Sequence, residues 1–203
     1  MKSYLSIDLD FWTTHDNGRS AGQFFNKVFA LNVPILFVHE HEELLQDINK
    51  SKSDILYNVD YHSDLCSDNE LIKGEKPNDG TWANFVSWKR RGEYIWICPN
   101  IKTCYKGGKG DGICCGDWRL DPFKTKKESF WKSVSLTQKL NTIDWRTVKQ
   151  VGVCLSPSFT IPETVLSVTK KLGMKEEEVY ALTNAPTHIN PAKRKRGIIY
   201  KAA

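Results

Sequence analysis

Residues 54–64 read DILYNVDYHSD, a stretch in which a buried strand runs into a cluster of polar side chains. Its first half, Asp54 to Val59, is a short apolar run with the length and the β-branched and aromatic content of a buried strand. Its second half sets three metal-ligand side chains, Asp60, His62 and Asp64, at alternate positions. Burying two carboxylates without compensation is costly, so packing alone poorly explains a buried strand that runs straight into such a group. Two other apolar runs end the same way. Tyr4 to Ile7 leads into Asp8-Leu9-Asp10, and Pro34 to Val38 leads into His39-Glu40-His41. Residues two apart on an extended chain face the same side, roughly 6 to 7 Å apart. Asp8 with Asp10, and Asp60 with His62 and then Asp64, can therefore aim at one point.

Outward from these runs, apolar strands alternate with amphipathic segments. Ala21 to Leu31 carries Phe24, Phe25, Val28 and Phe29 at helical spacing. Glu42 to Asn49 and Thr81 to Arg91 read as further helices, and Tyr94 to Cys98 and Val148 to Leu155 as further strands. Pro162 to Leu172 is a helix opened by proline and stopped at Gly173. Glu178 to Leu182 reads as a last short strand. The pattern predicts a three-layer α/β fold with a mostly parallel sheet, in one domain spanning residues 1–203. Such sheets bind ligands outside the carboxyl ends of their strands, where the three acidic and histidine groups fall. Residues 101–127 are Gly- and Lys-rich without a period, and read as a long loop or small insertion.

Composition bounds the function classes. The chain of 203 residues is 40% hydrophobic, with seven Trp and nine Phe, and carries a net charge of +5. Part of the excess sits in the tail, residues 191–203, as Lys193-Arg194-Lys195-Arg196. Such a tail can touch nucleic acid or another acidic partner; a solvated end is the preferred reading. No apolar run approaches the roughly 20 residues that cross a bilayer, so no membrane partner is expected. The opening MKSYLSIDLDFW has two Asp within its apolar stretch and no small-residue cleavage site, unlike a signal peptide. Six Cys in such a chain are expected to be thiols, and the location to be cytoplasmic. The spacing of Cys98, Cys104, Cys114 and Cys115 matches no common paired zinc pattern.

Singly, each ligand group has an ordinary explanation. An Asp-x-Asp is most often a turn or cap, and a histidine pair after a strand is weaker still. Three such groups at equivalent strand ends shift the balance to metal. Asp8, Asp10, Asp60 and Asp64 with neutral His41 and His62 carry four negative charges, which two divalent cations neutralise. Oxygen-rich ligation favours a hard ion such as Mn²⁺. Shared carboxylates would hold two ions roughly 3.5 to 4 Å apart, with a bridging hydroxide as nucleophile. The alternative is a single Zn²⁺ or Fe²⁺.

At these residues the chain resembles the arginase and histone-deacetylase superfamily, and more closely the arginase-like UPF0489 family. The family's Asp-x-His-x-Asp matches Asp60, His62 and Asp64; its Ser-x-Asp-x-Asp matches Ser6, Asp8 and Asp10; its single histidine after an earlier strand matches His41. The segments DGTWANF (79–85) and CLSPSFT (154–160) are also similar, so the resemblance spans most of residues 4–162. It implies that His41, Asp60, Asp64 and Asp8 hold one metal, and His62 and Asp10 the other, with Asp60 and Asp8 bridging. The Asp-x-Asp strand, late in arginases, comes first here, which implies a permuted strand order. The chain is also shorter than an arginase and lacks counterparts of its amino-acid recognition loops. What the resemblance carries over is the reaction class: water attack on a guanidine, amidine or amide carbon of a small molecule or modified side chain.

His15, five residues beyond Asp10, is a candidate proton shuttle, or a plain loop histidine. Glu40, beside His41, is a candidate supporting group. Trp82 and Asn84 are candidates to line a pocket, though at helical spacing Trp82, Phe85, Val86 and Trp88 are more often core. Ser156 faces the site or makes a turn. Two other readings stay open: a metal-dependent phosphoesterase or nuclease, and a non-catalytic binding or inhibitor protein that keeps the fold. The sequence leaves the oligomeric state open.

Overall fold

The alternation of side chains along β1 (Ser3–Asp8) divides the molecule in two. In the computed structural model, which describes residues 1–15, 18–65, 76–78, 80–86, 92–99, 133–157, 159–171, 174–175 and 198–200, Leu5 and Ile7 enter one apolar cluster and Tyr4 enters another. The same period of two runs through β3 (Ile55–Val59), with Ile55, Tyr57 and Val59 on the first face and Leu56 on the second. It recurs in β2 (Ile35–Val38), β4 (Glu93–Ile97) and β6 (Val148–Cys154). Strands covered on both faces are what a parallel sheet requires. Burial of this kind contributes roughly 1.5 to 3 kcal/mol per large apolar side chain.

The strands form one sheet in the order β5-β4-β3-β1-β6-β2-β7, where β5 is Ser133–Thr137 and β7 is Ile198–Tyr200. The first six are parallel, and β7 runs antiparallel to β2 at the edge. β1 lies between β3 and β6. From β1 the chain passes through α1 (Asp10–His15) and α2 (Ala21–Phe29) to β2, two places away on one side. It then returns through α3 (Leu45–Ser51) to β3 on the other side. The two crossovers pack on opposite faces: Phe24, Phe25 and Val28 of α2 join Val165 and Val168 of α4 (Pro162–Lys171), whereas Ile48 of α3 lies on the far face. The result is the expected three-layer α/β arrangement. The reversal of direction at β1 leaves a crevice at the carboxyl ends of β1, β3 and β6.

One glycine in the sheet is closely enclosed by side chains. A Cβ on Gly152 of β6 would lie 2.6 Å from the Tyr4 hydroxyl and 2.7 Å from both Leu44 methyls. Leu44 belongs to the 3₁₀ turn His41–Leu44 that precedes α3, so the missing side chain lets this turn settle onto the sheet.

Several elements differ from the sequence expectation. The helix expected over Glu42 to Asn49 begins as that 3₁₀ turn, already at His41. Within the segment Thr81 to Arg91, the described part is a single 3₁₀ turn, Trp82–Phe85, after which Val86 is extended at ψ 117°. Its apolar residues have helical spacing, and the Trp82 indole within it is committed to Asp64. The short α1 and the edge strand β5 were not expected; Asp8 caps the start of the one, and β5 reads as a polar segment. The tail is not wholly a solvated end, since residues 198–200 pair with β2. The Gly/Lys-rich segment 101–127, the strand expected at 178–182, and Cys104, Cys114 and Cys115 lie outside the described residues. Among the described residues no helix is long and apolar enough to cross a membrane.

Candidate metal centre

The same alternation that puts Leu5 and Ile7 on one face puts Ser6 and Asp8 on the other, and in β3 it puts Asn58 and Asp60 there. Ser6 and Asn58 are register partners on adjacent strands, and both are fully buried. Past the strand ends the convergence is made by turns, not by extended chain. The Asp10 amide donates to Asp8 Oδ1 at 3.0 Å, and the His62 amide donates to Asp60 Oδ1 at 2.7 Å. These Asx turns bend the backbone so that the second ligand in each pair comes round beside the first. The Tyr61 amide then donates to Asp10 Oδ1 at 3.3 Å, tying the two strand ends together. Asp64 adopts φ 52°, a left-handed conformation that Asp tolerates better than most residues.

Two groups of ligand atoms result, each able to hold a metal ion. Asp8, His41 and Asp60 form one, and Asp10, Asp60 and His62 form the other, so Asp60 is common to both. His41 Nδ1 lies 3.0 Å from Asp60 Oδ2, 3.0 Å from Asp64 Oδ2 and 3.4 Å from Asp8 Oδ2. It is buried and points between these oxygens, making no aligned hydrogen bond with any of them. Its other nitrogen, Nε2, lies 2.7 Å from the Ser6 hydroxyl. A neutral imidazole that donates from Nε2 to Ser6 leaves the Nδ1 lone pair facing the carboxylates, as a metal ligand requires. In the second group His62 Nδ1 is 3.0 Å from Asp10 Oδ2 and 3.7 Å from Asp60 Oδ1.

The electrostatics fit a cation. Asp8, Asp10, Asp60 and Asp64 are all buried, with at most 4% exposure. Burial, then the Asp8 and Asp60 charges, push the Asp10 carboxyl well above the usual carboxylate range. Burial and the Asp60 charge push Asp64 up to about 8. Burial also opposes ionisation of Asp60, but the adjoining His41 and His62 imidazoles outweigh it and hold this carboxyl well below the usual range. Burial disfavours the His41 imidazolium, yet Asp64, Asp60 and Asp8 together raise it well above an ordinary histidine. His62, opposed by burial and favoured by Asp10 and Asp60, is pushed up to about 12. Both histidines are thus held against carboxylates whose charge calls for a positive partner, a place that could hold a metal ion with neutral imidazoles.

Residues outside the two ligand groups hold the ligands in place. Asn58 Nδ2 donates to Asp60 Oδ2 at 3.2 Å. The Trp82 indole donates to Asp64 Oδ2 at 2.5 Å, and its ring lies 4.7 Å from the His41 ring. The Ser156 hydroxyl donates to Asp8 Oδ2 at 2.5 Å, so this residue both faces the site and, at φ 39°, makes a turn. Ser6 and Asn58 had a visible signal: each is a polar residue in a buried strand, two places before a ligand. Glu40 does not reach into either group; its Oε1 is 2.9 Å from Nδ1 of His39, which stands outside the cluster. His15 ends α1, and its side chain lies outside the described residues. A comparison with protein-family models found no match, and comparisons with curated proteins and with solved structures found none either.

Proposed function

We propose that the cluster binds two Mn²⁺ ions and that the protein is a metal-dependent hydrolase of the arginase and deacetylase kind, cutting a non-peptide C–N bond of a guanidine, amidine or amide. The observation that carries this reading is the position of Asp60, the one carboxylate common to both ligand groups. Asp8, His41 and Asp60, with Asp64 beside them, would hold one ion; Asp10, His62 and Asp60 would hold the other. Divalent ions bound there supply Lewis acidity and activate water at neutral pH. The protein's part is to fix the ligands. Ser6 sets the His41 tautomer, Asn58 and Trp82 orient Asp60 and Asp64, and Ser156 orients Asp8. His62 is 27% exposed while the other ligands are nearly closed off, so substrate approaches from the His62 side. Glu40 steadies His39 at the end of β2, and His15 is the candidate proton carrier.

Calorimetric titration of chelator-stripped protein with Mn²⁺ tests the reading. Two ions per chain are expected, and Asp60→Ala should abolish uptake of both. Saturation at one ion, with Asp64→Ala harmless, would replace it by a single-ion Zn²⁺ or Fe²⁺ mechanism. Failure to bind any divalent ion would end the hydrolase reading.

A further inference from the structure

Phe159 is one of three large apolar side chains on the described surface, at 58% exposure. A lone exposed phenylalanine ordinarily means nothing. This one is held in place by the metal centre itself. It lies in the loop that follows β6, in which Ser156 donates its hydroxyl to Asp8 and its amide to the His39 carbonyl. The Phe159 amide donates to the Ser156 carbonyl at 2.9 Å. From the other side, the Thr13 hydroxyl on α1, three residues beyond Asp10, donates to the Phe159 carbonyl at 3.2 Å and accepts from the Ile161 amide at 3.3 Å. The Phe159 amide and carbonyl are therefore both hydrogen-bonded, while its ring stays open to solvent. That ring meets the His62 ring edge to face, with centroids 6.1 Å apart, and Tyr61 meets the same imidazole edge to face at 4.9 Å. His62 is the ligand through which the cluster opens. A preorganised aromatic face beside that opening loses little conformational entropy when something stacks on it.

Resting on the two-metal reading above, we propose that Phe159 is a specificity-determining residue: a fixed platform that stacks a flat, uncharged apolar or aromatic group next to the scissile bond. The substrate class is then an aryl- or alkenyl-bearing amide or amidine, not a small zwitterion. Aromatic pairs contribute about 0.5 to 1.5 kcal/mol beyond area burial, which corresponds to roughly two- to tenfold in affinity.

The probes are benzohydroxamate and acetohydroxamate, which share a metal-chelating head and differ in the flat group, titrated calorimetrically into the Mn²⁺-loaded protein. The wild type should bind benzohydroxamate roughly two- to tenfold more tightly. Phe159→Ala should erase that preference while leaving acetohydroxamate affinity and Mn²⁺ stoichiometry unchanged, and Phe159→Tyr should restore it. Equal binding of the two probes by the wild type, or a preference that survives Phe159→Ala, would overturn the platform and leave the metal centre standing. If neither probe binds protein with verified Mn²⁺ content, the platform proposal fails and the metal centre stands; if Mn²⁺ itself does not bind, both fail.

Discussion

Trp12 and Trp82 are both fully buried, on opposite faces of one sheet, and they serve different ends. The Trp12 ring packs among other rings, 5.1 Å from Phe24 and 5.7 Å from Phe25, and its indole nitrogen is satisfied locally by Ser20. Its face of the sheet is an apolar layer of side chains from α2, α4 and alternate strand positions. On the other face Tyr4 donates to Asp47, and the three remaining buried aromatics direct their polar atoms at residues 60–64. Trp82 donates to Asp64 Oδ2, Trp96 to the Asp60 carbonyl at 3.0 Å, and Tyr94 to the Ser63 carbonyl at 2.6 Å. The difference teaches that equal burial hides unequal roles. One face holds the sheet together, and the other uses amphipathic rings to hold the ligand loop against it.

That contrast can be broken most severely at Trp12. Trp12→Ala should cost about 3 to 5 kcal/mol of folding stability by leaving a cavity, read as a lower denaturation midpoint. Mn²⁺ stoichiometry in the folded fraction should not change; a lost ion would mean that the apolar face also positions the ligands. Trp82→Phe is the complementary change. Losing its indole donor leaves Asp64 with one partner fewer, at a stability cost of about 1 to 3 kcal/mol, and should weaken Mn²⁺ binding roughly 10- to 100-fold, as removal of an outer-shell partner does. Unchanged affinity would reduce Trp82 to a core residue like Trp12.

The smallest effect is a pH dependence confined to the site face. In metal-free protein Asp64 is raised from 3.8 to about 8, so the folded chain binds more protons than the unfolded chain in that interval and stability falls as pH rises through it. His62 is raised from 6.5 to about 12; its contribution is complete below 6.5 and fades as pH climbs toward 12. Metal uptake should slope the other way, strengthening with pH because both histidines must be neutral to ligate. Denaturation of stripped protein between pH 5 and 8, set beside Mn²⁺ affinity at the same values, checks both signs. Parallel slopes would show that these groups do not govern the site.

Much of the fold was legible because period-two alternation and strand length are local signals. The strands at residues 4–7, 34–38, 54–59, 94–98 and 148–155 were found within about two residues at each end. The ligand groups stood out because Asp and His at the ends of apolar runs conflict with simple burial. What supports them was less visible, since it depends on pairings between distant positions. Ser156 meets Asp8 across 148 positions, and Trp82 meets Asp64 across 18. The route of convergence was misread as well: Asp8 and Asp10 meet through an Asx turn into α1, which no strand period describes. β7 escaped notice because three residues after a basic run are too short to signal a strand.

Gly152 shows how far such dependence reaches. Only the bare Cα lets Leu44 sit where it does, and Leu44 shares a single 3₁₀ turn with His41. An alanine methyl there would meet its neighbours at distances that real Cβ atoms essentially never show, so the ends of Tyr4 and Leu44 would have to shift. Gly152 thus bears on the placement of His41 although it has no side chain with which to bind anything.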